Sequence, residues 1–115
     1  MLDFAQETLK DQVAKVRLSK ILQSGSVCLT AEGPVSLEME KYMRKVDGDR
    51  AARAQRVLEL NPDSAAFAAL SRAVESDRDK AARYAKLLYA QAQLIAGLPL
   101  EDPAGYTELV CSLMN

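Results

Sequence analysis

The chain has 115 residues, enough for one domain around a single buried core and too few for two. An apolar share of 49% and a charged share of 27% are those of a globular protein, and a net charge of −1 provides no general attraction to nucleic acid or an anionic membrane. The chain contains no histidine, the commonest general base near neutral pH, and its five scattered glycines build no phosphate-cradling loop.

Asp3-Phe4-Ala5-Gln6 has capping-box form and predicts a short helix to about Leu9. Asp3, Gln6, Glu7 and Lys10 interrupt any apolar run there, so the N-terminus does not read as a signal peptide. Val13 to Leu22 alternates, with Val16 and Leu18 against Lys15, Arg17 and Ser19, which predicts a half-buried strand. Ser24-Gly25-Ser26 is turn chemistry, and Val27-Cys28-Leu29-Thr30 follows as a second, more buried strand. Gly33-Pro34 then breaks the chain before a helix with Ser36 at its N-cap. That helix carries Met39, Tyr42, Met43 and Val46 on one face and Glu40, Lys41, Arg44 and Lys45 elsewhere. Asp47-Gly48-Asp49 ends it, and residues 50–55 form a charged connection. Positive charge thickens at Lys41, Arg44, Lys45, Arg50, Arg53 and Arg56, but no aromatic residue interleaves it. The cluster therefore reads as a solvated helix face and linker and not as a nucleic-acid platform.

Arg56-Val57-Leu58-Glu59-Leu60 predicts a third strand. Asn61-Pro62 stops it and opens the next helix, with asparagine as cap and proline at the first position, running through Phe67, Leu70 and Val74 to about Ser76. From Arg78 onward the pattern is a helical hairpin. Ala81, Tyr84, Ala85, Leu87, Leu88, Ala92, Leu94 and Ile95 fall on one broad arc, with Asp79, Lys86 and Gln93 opposite. Gly97 supplies a left-handed C-cap, Leu98 folds back, and a connector to Glu101 leads to Asp102 as N-cap and Pro103 as first helical residue. Tyr106, Leu109, Val110, Leu113 and Met114 repeat the apolar stripe. Chain ends fray unless tied down, so this helix is expected to dock, against a second copy of the hairpin in preference to its own core.

The order of elements predicts an α+β fold. A small three-stranded sheet with its helices occupies residues 1–76, and the hairpin, residues 78–115, forms a four-helix bundle across a homodimer. Cys28 and Cys111 match no metal or redox spacing and are expected as reduced thiols. The longest mostly apolar run, Leu87 to Leu100, is too short and polar to span a bilayer, and a cytoplasmic location is expected. The sixteen acidic residues fall mainly on exposed helix faces or caps, with no evident buried pair, so a non-enzymatic module is expected, with no catalytic, cofactor or metal residues.

Four segments in fixed order resemble one family. Val16-Arg17-Leu18-Ser19-Lys20-Ile21-Leu22 resembles the opening strand of the C-terminal dimerisation domain of the ninety-kilodalton heat-shock chaperones, called high-temperature protein G in bacteria. Residues 36–45, from Ser36 to Lys45, are similar to that domain's methionine-bearing helix. Leu58-Glu59-Leu60-Asn61-Pro62-Asp63 matches its strand-to-helix motif, and Leu87 through Pro103 its terminal hairpin. Ser64-Ala65-Ala66 departs from the bulkier residues usual after that motif, and the ending Leu113-Met114-Asn115 fits a bacterial-type member. The resemblance implies a non-catalytic part of an ATP-driven chaperone, with the ATP and magnesium sites in domains outside this chain. It implies a homodimer through Tyr84, Leu87, Leu88, Gln91, Leu94, Ile95, Tyr106, Leu109, Val110, Leu113 and Met114. It also implies contact with unfolded client proteins through Val35, Leu37, Met39 and Met43. From the residues alone, a stand-alone dimeric adaptor is equally permitted.

Overall fold

Among the described residues, caps and breakers mark out eight elements in the computed structural model: α1 (Leu2–Thr8), β1 (Lys15–Leu18), β2 (Val27–Glu32), α2 (Leu37–Asp47), β3 (Gln55–Leu60), α3 (Ala65–Ser76), α4 (Arg78–Ile95) and α5 (Pro103–Ser112). The structure describes residues 1–19, 25–47, 54–100 and 102–114. The expected strand continuation to Leu22, the turn residue Ser24, Gly48 and Asp49, Arg50 and Arg53 of the basic cluster, and Glu101 of the connector lie outside the described residues. The fold is α+β with a three-stranded mixed sheet, as expected.

The sheet order is β1-β3-β2, with β3 parallel to β1 and antiparallel to β2. Register sets the two faces. Leu58 and Leu60 align with Val16, Leu18, Leu29 and Val27, so this side meets the core, with Leu18 exposed at the strand end. Val57 and Glu59 point the other way, beside Arg17, Cys28 and Thr30. Central β3 is buried on both faces from Arg56 to Leu60. At the β1 edge the side-chain oxygen of Gln6 accepts from the Val16 backbone at 3.1 Å, occupying a donor that an edge strand would otherwise present.

Three local expectations are corrected. Met1, not Asp3, stands at the N-cap of α1, and Asp3 instead lies in the first turn, where its charge suits the helix dipole. Asn61 does not cap α3. Its Oδ1 accepts from the Asp63 amide at 3.0 Å and its Nδ2 donates to the Gly25 carbonyl at 2.8 Å, which bolts the end of β3 to the start of β2. Pro62 belongs to that turn, and Ser64 is the cap, accepting from Phe67 at 3.1 Å. Buried Ser19, expected on the polar side of its strand, donates its backbone N–H to Leu60 and extends the parallel ladder.

Helix α4 is the spine. Ala81, Ala85, Leu88 and Ala92 share one core with Leu58, Leu60, Leu70 and Ala73, to which α1 adds Ala5 and its C-cap residue Leu9. Alanine at three of those four positions lets the helix axis approach its neighbours closely, which a leucine stripe would prevent. Gly97 adopts φ +80°, and Leu98 N–H bonds the Gln93 carbonyl at 2.9 Å while Leu98 is buried: the expected left-handed cap. Asp102 caps α5 through Gly105 N–H at 3.0 Å, with Pro103 first in the helix.

Candidate functional site

On α2 the expected apolar face is the outer face. Tyr42 is 70% exposed, Met39 and Val46 are also exposed, and Met43 and Val35 are half-buried. Leu37 packs against the edge of the core. The side chain that α2 drives fully into the body is Glu40, 1% exposed, which the sequence pattern had placed among solvated charges. Its Oε2 accepts from Arg56 Nη2 at 2.6 Å and Arg44 Nε at 3.3 Å, and its Oε1 accepts from the Ala54 amide at 2.9 Å.

Arg56 is likewise buried, 2% exposed, which corrects its assignment to a solvated linker. It stands on the core side of β3 and donates from Nη1 to the Tyr89 hydroxyl of α4 at 2.7 Å. Its Nε has no partner among the described residues. Burial alone would push the Glu40 carboxyl up; the Arg56 hydrogen bond, the Ala54 N–H and the charges of Arg56 and Arg44 outweigh it and hold the carboxyl below its ordinary range. Burial would lower the Arg56 guanidinium, and its bonds to Glu40 and Tyr89 raise it instead.

A second, more open pair lies on the opposite sheet face. Glu59, largely buried, accepts from Arg17 Nη2 at 2.7 Å and Thr30 Oγ1 at 3.2 Å. Burial pushes the Glu59 carboxyl up, and those bonds with the Arg17 charge bring it below its ordinary range. Cys28 is half-buried on this face, where burial first and Glu59 next raise its thiol. Cys111 is free and exposed on α5.

The broad apolar arc of α4 separates into two. One strip, Ala81, Ala85, Leu88, Tyr89 and Ala92, is buried in the chain's own core. The other flank holds half-buried Tyr84, Leu87 and Gln91 and exposed Leu94 and Ile95, the last 69% exposed. Leu88, expected at a dimer interface, is buried in the chain's own core. On α5, Tyr106, Leu109, Val110 and Leu113 are half-buried, Met114 is 75% exposed, and no residue of the helix is fully buried. Gln93, expected on the solvated side, is buried, and its Nε2 has no partner among the described residues.

Concavities lie on either side of the apolar strip of α4. A hollow of about 180 Å³ lies between Ala66 and Ala69 of α3 and Tyr84, Leu87, Leu88 and Gln91 of α4. A groove of about 530 Å³ separates Lys86, Ala90 and Gln93 of α4 from Tyr106 and Leu109 of α5, with Leu9 and Tyr89 in its wall. Among the described residues no group of three or more cysteine or acidic side chains is placed to share a metal ion, and no helix is long and apolar enough to cross a membrane.

A family model described as Hsp90 protein matches residues 1–115. Chaperone protein HtpG of Halalkalibacterium halodurans is 45% identical over 114 residues, which cover 99% of this chain and 18% of that protein. Chaperone protein HtpG of Bacillus subtilis is 44% identical over 92% of this chain and 17% of its own length, and that of Natranaerobius thermophilus is 44% identical over 100% and 18%. The chain therefore spans less than a fifth of the length of these curated relatives.

Proposed function

The chain belongs to the Hsp90 protein family, and from that premise we propose that it is the self-association and client-contact domain of an ATP-dependent chaperone. It works by binding and not by chemistry. ATP and magnesium belong to parts of the whole chaperone outside this chain, and the whole acts in the cytoplasm. The observation that carries the reading is the hairpin's uncovered side: α5 buries no residue of its own, and Leu94 and Ile95 stand exposed beside Leu87 on the α4 flank.

A second hairpin laid there makes a four-helix bundle, and twofold symmetry uses every residue of the face twice. Joining two chains at this end holds the rest of each chaperone at high effective concentration, so contacts between the arms become intramolecular. Client contact falls to α2, whose exposed Met39, Tyr42 and Val46 form an apolar strip next to half-buried Met43. Methionine is unbranched and polarizable and repacks against many partners, which suits recognition of unfolded chains.

Sedimentation equilibrium of the chain and of Leu109→Asp tests self-association. The parent is expected to be a dimer at tens of micromolar. The variant is expected to be a monomer with its sheet intact, because the bundle would otherwise bury two unpaired carboxylates. A monomeric parent would refute the reading.

A further inference from the structure

Met39, Tyr42 and Val46 on α2 and the Leu87–Ile95 flank of α4 are separate surfaces, yet one buried chain of bonds runs between their helices. We infer that Glu40, Arg56 and Tyr89 form a joint that fixes the position of α2 relative to α4, so that the apolar strip of α2 is set by the helix that carries the association flank. The inference rests on the reading of those surfaces given above, and its test requires neither dimerisation nor client binding.

The joint takes one residue from each of three elements. Glu40 enters from α2, Arg56 from β3 and Tyr89 from α4, with separations of 2.6 Å at the first contact and 2.7 Å at the second. Tyr89 also reaches the Gln12 carbonyl at 3.5 Å and lines the groove that α5 borders through Tyr106 and Leu109.

Around these bonds α2 meets the body through Leu37, packed at the edge of the core, and through Glu40 Oε1, which accepts from the Ala54 amide at 2.9 Å. A helix seated on an apolar stripe can slide with little loss, since dispersion and burial are non-directional. A helix seated on a carboxylate cannot, because charge-assisted hydrogen bonds depend on distance and angle and a buried charge without its partner is costly. The net stability such a pair supplies is small after desolvation, so what it contributes is position. Arg44 reinforces Glu40 from within α2.

Hydrogen exchange along the whole chain tests this with Tyr89→Phe, which keeps the ring in the core and removes only the hydroxyl. Amides of residues 40–47 are expected to exchange about tenfold faster in the variant, with β3 and α3 unchanged. In Glu40→Gln, which leaves Arg56 facing a neutral amide, the same segment is expected to exchange faster still. Unchanged exchange of α2 in Tyr89→Phe would overturn the joint. So would an equal rise in every element, which is what a merely stabilising tyrosine would give. If Glu40→Gln fails to fold, Tyr89→Phe alone decides. A chain that is monomeric and captures no unfolded protein would defeat the proposed function and leave this exchange contrast standing.

Discussion

Helices α2 and α4 show the same sequence signature, apolar residues at helical spacing with charges opposite, and the fold uses it in contrary ways. On α4 the inward strip is mostly alanine, the helix sits close to the sheet, and larger residues at Leu87, Leu94 and Ile95 remain on the flank. On α2 the inward position belongs to Glu40, and Met39, Tyr42 and Val46 turn outward. Periodicity identifies a face; what lies across from it decides whether that face is covered. Arg56, buried near the start of the central strand, supplies the only fully buried guanidinium among the described residues, and it draws Glu40 in.

The sharpest way to break the contrast is to remove the cation. Arg56→Met leaves Glu40 buried without its main partner and is expected to cost about 3–5 kcal/mol in thermal unfolding. Adding Glu40→Leu to it should recover most of that loss, since an apolar pair of similar volume removes the uncompensated charge. Failure to recover would mean that packing around Arg56, and not charge, governs the site.

Next comes a direct comparison of the two helices. Leu88→Ala in the α4 core is expected to cost about 2–5 kcal/mol, and Met39→Ser on α2 less than about 0.5 kcal/mol, by urea titration. Similar losses at both positions would make Met39 a core residue. Acid should separate the helices too. Glu40 and Glu59 both titrate below their ordinary range when folded, so the unfolded chain binds protons first as pH falls. The stability they add is complete above the unfolded carboxylate value, about 4.3, and drains away as pH drops through it toward the lower folded values. Glu40→Gln is expected to flatten that acid limb, most visibly in α2 exchange. A smaller effect than that of Leu88→Ala is expected at the cap between the hairpin's arms: Gly97→Ala, at φ +80°, should cost about 1 kcal/mol, checked by melting temperature.

What could be read in advance was what is local. Gly97, Asp102-Pro103 and Ser36 act through neighbours within a turn, and Ser36 Oγ accepts from Met39 N–H at 3.1 Å as its position predicts. Strand alternation likewise placed Val16 on the core side, though Leu18, paired with it in that pattern, is exposed at the strand end. Asn61-Pro62 misled because asparagine satisfies a turn and a helix cap with the same oxygen, and only the contact with Gly25 distinguishes them. Glu40 and Arg56 were illegible for a different reason. Each is an ordinary surface residue by type, and their pairing depends on how α2 falls across the start of β3. Gln93 had no signal at all: it is polar, sits on a helix, and is covered by the return of the hairpin.

Strand order carries a consequence for synthesis. β1 and β2 lie on either side of β3 and do not pair with each other, although β3 is the last of the three to leave the ribosome. No native strand pairing in this sheet can exist until residues 55–60 have emerged, so the first half of the domain waits as unpaired edges with Val16, Val27 and Leu29 uncovered. Parallel, non-local pairing of this kind is slow and exposes apolar strands to other chains while it waits. The sheet thus passes, during its own synthesis, through a state in which its apolar strands stand unpaired.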